Sequence, residues 1–173
     1  MPHKQPPTMQ QGHSNDFQTP PQVLEYLLPY ANIFIKPNRI WECAAGNGNL
    51  SNELKLRGYG VVATDIKDGF DFLVNWMDYE EYDMIITNPP YTIKTQFLER
   101  AYFLKKPFAF LLPYATLETP ARQDLFRANG LQIIFLPHRI NFETPSGEGS
   151  GAWFATAWFT WGLHLDHDMI FAH

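Results

Sequence analysis

The sequence predicts an α/β domain on a mainly parallel, doubly wound sheet, and two observations carry that expectation. From Arg39 onward short apolar runs alternate with amphipathic stretches, the order that lays helices on both faces of a parallel sheet. The 173 residues are 45% apolar, 16% aromatic and 18% charged, a balance that fits one domain with one substantial core. The elements follow in order. Residues 1–15 are rich in Pro, Gln, His and Ser without an apolar period, so a flexible N-terminal arm is expected there and a single domain over 16–173. Thr19-Pro20 is an N-cap and first-turn signal, and Val23, Leu24, Leu27 and Leu28 recur at helical spacing until Pro29 disturbs the pattern.

Residues 39–44 then read as a strand, 50–57 as a helix closed by Gly58, and 60–65 as a second strand. Strand, helix and strand follow at 82–87, 92–105 and 108–112. Thr119-Pro120 opens a further helix that Gly130 closes, 131–136 is a strand, and the last clear element is an aromatic strand at 152–162. Between residues 66 and 71 the chain is too short for a crossover helix, which needs about a dozen residues. A strand near Asp71-Phe72-Leu73 is therefore short or irregular. The glycine-rich residues 145–151 form the flexible loop inside the fold.

Composition also excludes several classes of function. Thirteen basic against eighteen acidic side chains give a net charge of −5, which argues against coating nucleic acid by bulk charge. No apolar run approaches the ~18 residues of a membrane span, and the N-terminus lacks a secretory pattern; a cytoplasmic protein is expected. The single cysteine, Cys43, has no partner for an internal disulfide. No Cys/His cluster has metal-ligand spacing, so no metal is expected.

Two segments carry chemistry. Glu42-Cys-Ala44-Ala-Gly46-Asn-Gly48 lies where a strand turns into a helix, and glycines there remove side chains that would block a ligand from the backbone. The acid Asp65 at the end of the next strand suits ribose hydroxyls, while Ser51 in place of a third glycine weakens a dinucleotide reading. The second segment, Asn88-Pro89-Pro90-Tyr91, follows the apolar strand ending at Thr87. Consecutive prolines fix two φ angles and withhold two N–H donors, so the turn is stiff and presents acceptors. The Asn88 side-chain oxygen and the Pro89 carbonyl can each take one hydrogen of a planar –NH2 group, with the Tyr91 ring as a stacking surface. Two acceptors pulling on such an amine favour a pyramidal nitrogen with a localised lone pair, which is electrostatic stabilisation of a transition state.

Asp16-Phe17-Gln-Thr19-Pro20, the Glu42–Gly48 segment, Asp65, Asp71-Phe72-Leu73 and Asn88-Pro-Pro-Tyr91 occur in an order that resembles S-adenosylmethionine-dependent amino-methyltransferases. The resemblance is greatest to small phage-type adenine-N6 DNA methyltransferases. It implies a Rossmann-like class I methyltransferase fold with an antiparallel last strand, S-adenosyl-L-methionine as cofactor, and adenine in DNA as target. By the same resemblance Phe17 and Thr19 touch the methionine end of the cofactor, and Glu42, Ala44, Gly46 and Gly48 frame it. Asp65, with Ile66 beside it, binds the ribose; Asp71 and Phe72 meet the adenine amine and ring; Asn88 borders the cofactor and, with Pro89, Pro90 and Tyr91, holds the target amine.

The tetrapeptide fits other planar amines equally, in RNA adenine or guanine or a protein glutamine amide. A catalytically silent cofactor-binding protein is the alternative of another class. Only 82 residues follow Tyr91, so no separate target-recognition domain is expected, and base contacts fall to loops such as 141–151 or to a second subunit of a homodimer. Lys94, Arg122 and Arg139 are candidates for holding phosphates, Trp153 for contacting a base. Cys43 sits in the glycine turn, away from the proline pair, and reads as a small buried side chain rather than a nucleophile.

Overall fold

Seven short strands join into one sheet in the computed structural model, which describes residues 18–31, 39–142 and 154–173. They are β1 (Arg39–Glu42), β2 (Gly60–Ala63), β3 (Met84–Thr87), β4 (Phe108–Pro113), β5 (Gln132–Phe135), β6 (Thr156–Trp161) and β7 (Met169–Phe171), and their spatial order is β2-β1-β3-β4-β6-β5-β7. The pairs β1–β2, β1–β3, β3–β4 and β5–β7 are parallel, and β6 runs antiparallel between β4 and β5. The helices are α1 (Leu28–Ala31), α2 (Asn49–Leu56), α3 (Lys94–Leu104) and α4 (Pro120–Asn129).

Side chains alternate across β4, and that alternation builds two cores. Ala109 and Leu111 face a cluster with Val23, Leu24, Leu27 and Leu28 of the N-terminal helical segment and Leu50 and Leu54 of α2. Phe108, Phe110 and Leu112 face the other, with Phe97, Leu98 and Ala101 of α3. Every residue of β3 and β4 is buried, as a strand covered on both faces requires. The expected doubly wound, mainly parallel sheet is thus the observed architecture, and its antiparallel strand is β6, which is not the last strand.

Differences from expectation are local. The first helix is a 3₁₀ segment, Pro21–Tyr26, that passes into α1, and Pro29 sits inside the first turn of α1, where its missing N–H breaks no bond. No strand forms at Asp71-Phe72-Leu73: the Asp71 carboxylate accepts the Leu73 N–H at 2.9 Å and folds the segment into a turn. A further strand, β7, follows the antiparallel one and pairs with β5. The expected N-terminal arm and the glycine-rich loop 145–151 lie outside the described residues. Among the described residues no helix is long and apolar enough to cross a membrane.

Candidate active site

Because β1 and β3 are neighbours in parallel register, with Ile40 beside Met84 and Trp41 beside Ile85, the segments that leave their C-terminal ends emerge side by side. One is the glycine turn, the other the proline tetrapeptide. That edge is where open α/β sheets bind ligands.

The turn after β1 is held from two sides. Its backbone takes positive φ at Gly46 (55°) and Gly48 (84°), conformations that glycine adopts without steric cost. The Asp65 carboxylate accepts the Gly46 N–H at 2.8 Å and the Lys67 N–H at 3.0 Å, so it braces the turn to the end of β2. From the other side Gln18 Oε1 accepts the Asn47 N–H at 3.0 Å. A Cβ on Gly46 would stand 3.1 Å from that same Gln18 oxygen.

Glu42 closes the floor of the turn. It is 2% exposed, and burial pushes its pKa up to about 8 against the opposing hydrogen bonds from Ser51. Its Oε2 is buried without a hydrogen-bond partner, an arrangement that costs free energy unless a donor arrives. Ala44 is half-buried in the same turn, and Ile66 opens the short helix Ile66–Asp68 with its side chain 68% exposed. An apolar side chain left in water beside this turn is a surface that a flat ring can cover.

At the tetrapeptide the Asn88 amide is tied at one end. Its Nδ2 donates to Thr19 Oγ1 at 2.8 Å, while its Oδ1 is buried and has no partner. Pro89 is buried and Pro90 half-buried, and Pro90 accepts the Ile93 N–H in a tight turn. The Tyr91 hydroxyl is also buried and unpartnered; burial raises its pKa, opposed by the adjacent Asn88 side chain. The Tyr91 ring meets Phe154 and Phe142 edge to face, at centroid distances of 5.5 and 6.4 Å. The three rings form an aromatic corner beside Asn88.

Of the expected site residues, Thr19, Glu42, Ala44, Gly46, Gly48, Asp65, Ile66 and Asn88 through Tyr91 are thereby brought to one edge. Phe17 and Trp153 lie outside the described residues. Phe72 is a correction: its ring is 2% exposed, stacks on Phe97 at 4.8 Å and meets Trp41 at 5.2 Å, so the ring belongs to the core and the residue offers a ligand only its backbone. Asp71 keeps the Leu73 N–H as a local partner and donates its own N–H to Asn75 Oδ1 at 2.6 Å.

Arg122 is the second correction. It is 8% exposed and its guanidinium is engaged by the carbonyls of Thr116 and Ala115 and the Thr95 hydroxyl, which makes it a clamp between α4, α3 and the Tyr114–Leu117 turn instead of a phosphate holder. Lys94 donates to the Tyr91 carbonyl at 2.8 Å and steadies the tetrapeptide from below. Arg139 is exposed. Cys43 is buried, and burial raises its thiol pKa well above the ordinary value, which suits a packing role.

Sequence reasoning assigns no individual contact in the site to Gln18 or Ser51, while Phe142 falls within the 141–151 segment expected to supply base contacts. Gln18 is flanked by residues that were singled out, but nothing in its type signals a contact with a turn 28 residues away. Phe142 is an aromatic at the mouth of a glycine-rich loop, and that placement was the available signal.

No protein-family model matches this chain, and no curated protein matches it. Solved structures do. A proposed RNA methyltransferase of Pyrococcus horikoshii superposes with a TM-score of 0.54 at 15% identity, over 78% of this chain and 78% of that one. The modification subunit of a proposed type I restriction enzyme from Vibrio vulnificus superposes with a TM-score of 0.52 at 14% identity, over 83% of this chain and 44% of that one. At these identities the likeness is one of fold: a Rossmann-like sheet of the kind found in methyltransferases.

Proposed function

We propose that this chain is a methyltransferase that moves a methyl group from S-adenosyl-L-methionine to the exocyclic N6 amine of adenine in DNA. The observation that carries the reading is the Asn88 amide, anchored through Nδ2 and presenting a buried, unpartnered Oδ1 beside the Tyr91 corner. A buried acceptor without a donor carries a free-energy cost, and an –NH2 group is a donor that relieves it.

The residues of the neighbouring turn suit the cofactor. Glu42 Oε2 awaits a donor or a cation such as an α-ammonium group. Asp65 has two backbone donors, and a carboxylate has about four acceptor positions, which leaves capacity for hydroxyls. Ile66 supplies an apolar cover for a base. When bound, S-adenosylmethionine contributes a methyl group on a positively charged sulfur. The chain's own part is alignment and acceptance of hydrogen bonds. Asn88 Oδ1 and the Pro89 carbonyl each take one amine hydrogen, so the nitrogen lone pair localises and points away from both. The ring of the base rests against the Tyr91 corner, where stacking contributes roughly 1–3 kcal/mol. A duplex adenine has to leave its stack to reach this depth, at a cost of a few kcal/mol, whereas a single strand avoids it.

Adenine in RNA is the second reading. The acceptors of Asn88 and Pro89 recognise the amine and not the sugar, and the superposition with the Pyrococcus protein covers equal shares of both chains. Incubation with methyl-labelled S-adenosylmethionine and separate pools of DNA, RNA and protein tests both readings. Label in N6-methyladenine of DNA is expected. Label confined to RNA selects the second reading, and label confined to protein or absent from every pool overturns both.

A further inference from the structure

Thr19 stands between the two halves of the site and contacts each. Its hydroxyl oxygen accepts from Asn88 Nδ2 at 2.8 Å and its carbonyl accepts from Asn49 Nδ2 at 3.3 Å, one residue beyond Gly48. The residue is 5% exposed. Its own position is rigid. Pro20 and Pro21 follow it, which biases the preceding residue toward extended backbone. Val23, fully buried, accepts the Trp158 indole N–H at 3.1 Å and anchors the segment to the sheet.

The last torsion of an asparagine is broad and roughly two-fold, so packing alone holds the amide poorly. The amide needs a partner at one end if the other is to point in a fixed direction. Thr19 Oγ1 is the partner to which the Asn88 amide donates at 2.8 Å, and the Tyr91 hydroxyl lies adjacent to the same amide. We propose that Thr19 is a positioning residue for methyl transfer: it pins the amino end of Asn88 so that Oδ1 is aimed at the target amine. This inference rests on the amino-methyltransferase reading and assigns Thr19 a task separate from any contact with cofactor. Removing the hydroxyl frees the amide to turn toward the adjacent Tyr91 hydroxyl, and the amine loses its acceptor.

The test compares the wild-type chain with Thr19→Val, which keeps shape and removes the hydroxyl, and Thr19→Ser, which keeps the hydroxyl. Two readouts are taken. The first is the Asn88 side-chain amide signal in a ¹⁵N–¹H spectrum, identified by its loss in Asn88→Ala. The second is single-turnover transfer to an adenine-containing single strand, alongside S-adenosylmethionine affinity by calorimetry. In Thr19→Val the amide signal is expected to move toward that of a free amide, and the transfer rate to fall on the order of 10- to 100-fold, as misplacement of a reacting partner does. The fall in transfer rate at saturating cofactor exceeds any change in cofactor affinity, and Thr19→Ser recovers both signal and rate. An unchanged amide signal in Thr19→Val, a loss that appears only in cofactor affinity, or failure of Thr19→Ser to recover overturns the role. Wild-type transfer with an unaffected Thr19→Val ends this inference alone; absence of wild-type transfer to any pool ends the parent reading and this one together.

Discussion

Asn88 and Glu42 each hold a buried side-chain oxygen that lacks a partner, yet they ask for different ligands. Asn88 is neutral and offers a directional acceptor, so Asn88→Ala is expected to abolish transfer, with a rate loss of at least ~10²-fold, while S-adenosylmethionine affinity in calorimetry stays near wild type. Normal turnover by this variant would remove the assigned role. Glu42 is ionisable, and its raised pKa makes folding depend on pH. Between the ordinary carboxylate value of 4.5 and the folded value of about 8, the native state holds a proton that the unfolded chain has released. Stability contributed by this group therefore declines as pH rises through that window. Glu42→Gln cannot lose a proton, so it is expected to flatten the decline and raise urea-unfolding stability at pH 8 by a few kcal/mol, with little effect at pH 5. Equal effects at both pH values would show that desolvation of Glu42 is not what limits stability. Asn88 was legible in the sequence because a proline pair and an aromatic fix a local shape. Gln18 was not, since it reaches the site only through the path of the chain.

At the scale of elements the site depends on Asp65, which joins the end of β2 to the turn leaving β1. Its carboxylate satisfies two backbone N–H groups, and hydrogen bonds to a charged acceptor contribute about 1.5–3 kcal/mol each. Asp65→Ala is accordingly expected to lose about 2–4 kcal/mol of stability and to bind S-adenosylhomocysteine more weakly, because the turn loosens and the acid is gone together. Thermal unfolding and calorimetry measure the two. Unchanged stability with lost binding would mean that the brace is incidental; lost stability with intact binding would place the cofactor elsewhere. The sequence showed most elements because apolar runs such as Met84-Ile-Ile-Thr87 and Phe108-Ala-Phe-Leu-Leu have no other stable home than a sheet covered on both faces. It did not show β7. The strand is three residues long, with Met169 and Phe171 64% and 73% exposed, so it is too short to show a period and exists through long-range pairing with β5. Nor did it show that Phe72 packs inward, because the Trp41–Phe72–Phe97 stack assembles from three distant segments.

For the whole molecule, order in the sheet was legible only in part: alternation of strands and helices requires parallel pairing, but which strands become neighbours is decided by two cores closing at once. The same scale bears on the proposed contact with nucleic acid. The chain carries a net charge of −5. Arg122 is engaged in the fold and Lys94 supports the tetrapeptide, while the sequence over 143–153 contains no Lys or Arg and two Glu, Glu143 and Glu148. Of the three basic candidates, Arg139 is the one that stands exposed and is engaged in none of these contacts. Each phosphate neutralised on a single strand contributes a slope of about −0.7 in log affinity against log salt, so one to three contacts give a slope shallower than about −2.5. Affinity for an adenine-containing single strand, measured from low to moderate salt by fluorescence anisotropy, is expected to follow that shallow line, and Arg139→Ala to flatten it by about one contact. Recognition would then rest on the buried amine acceptor and the aromatic corner, which salt does not screen. A steep slope of around −7 or beyond would require some ten phosphate contacts, more than this surface can supply from its described cations, and would place the binding face away from the edge where Asn88 and the glycine turn meet.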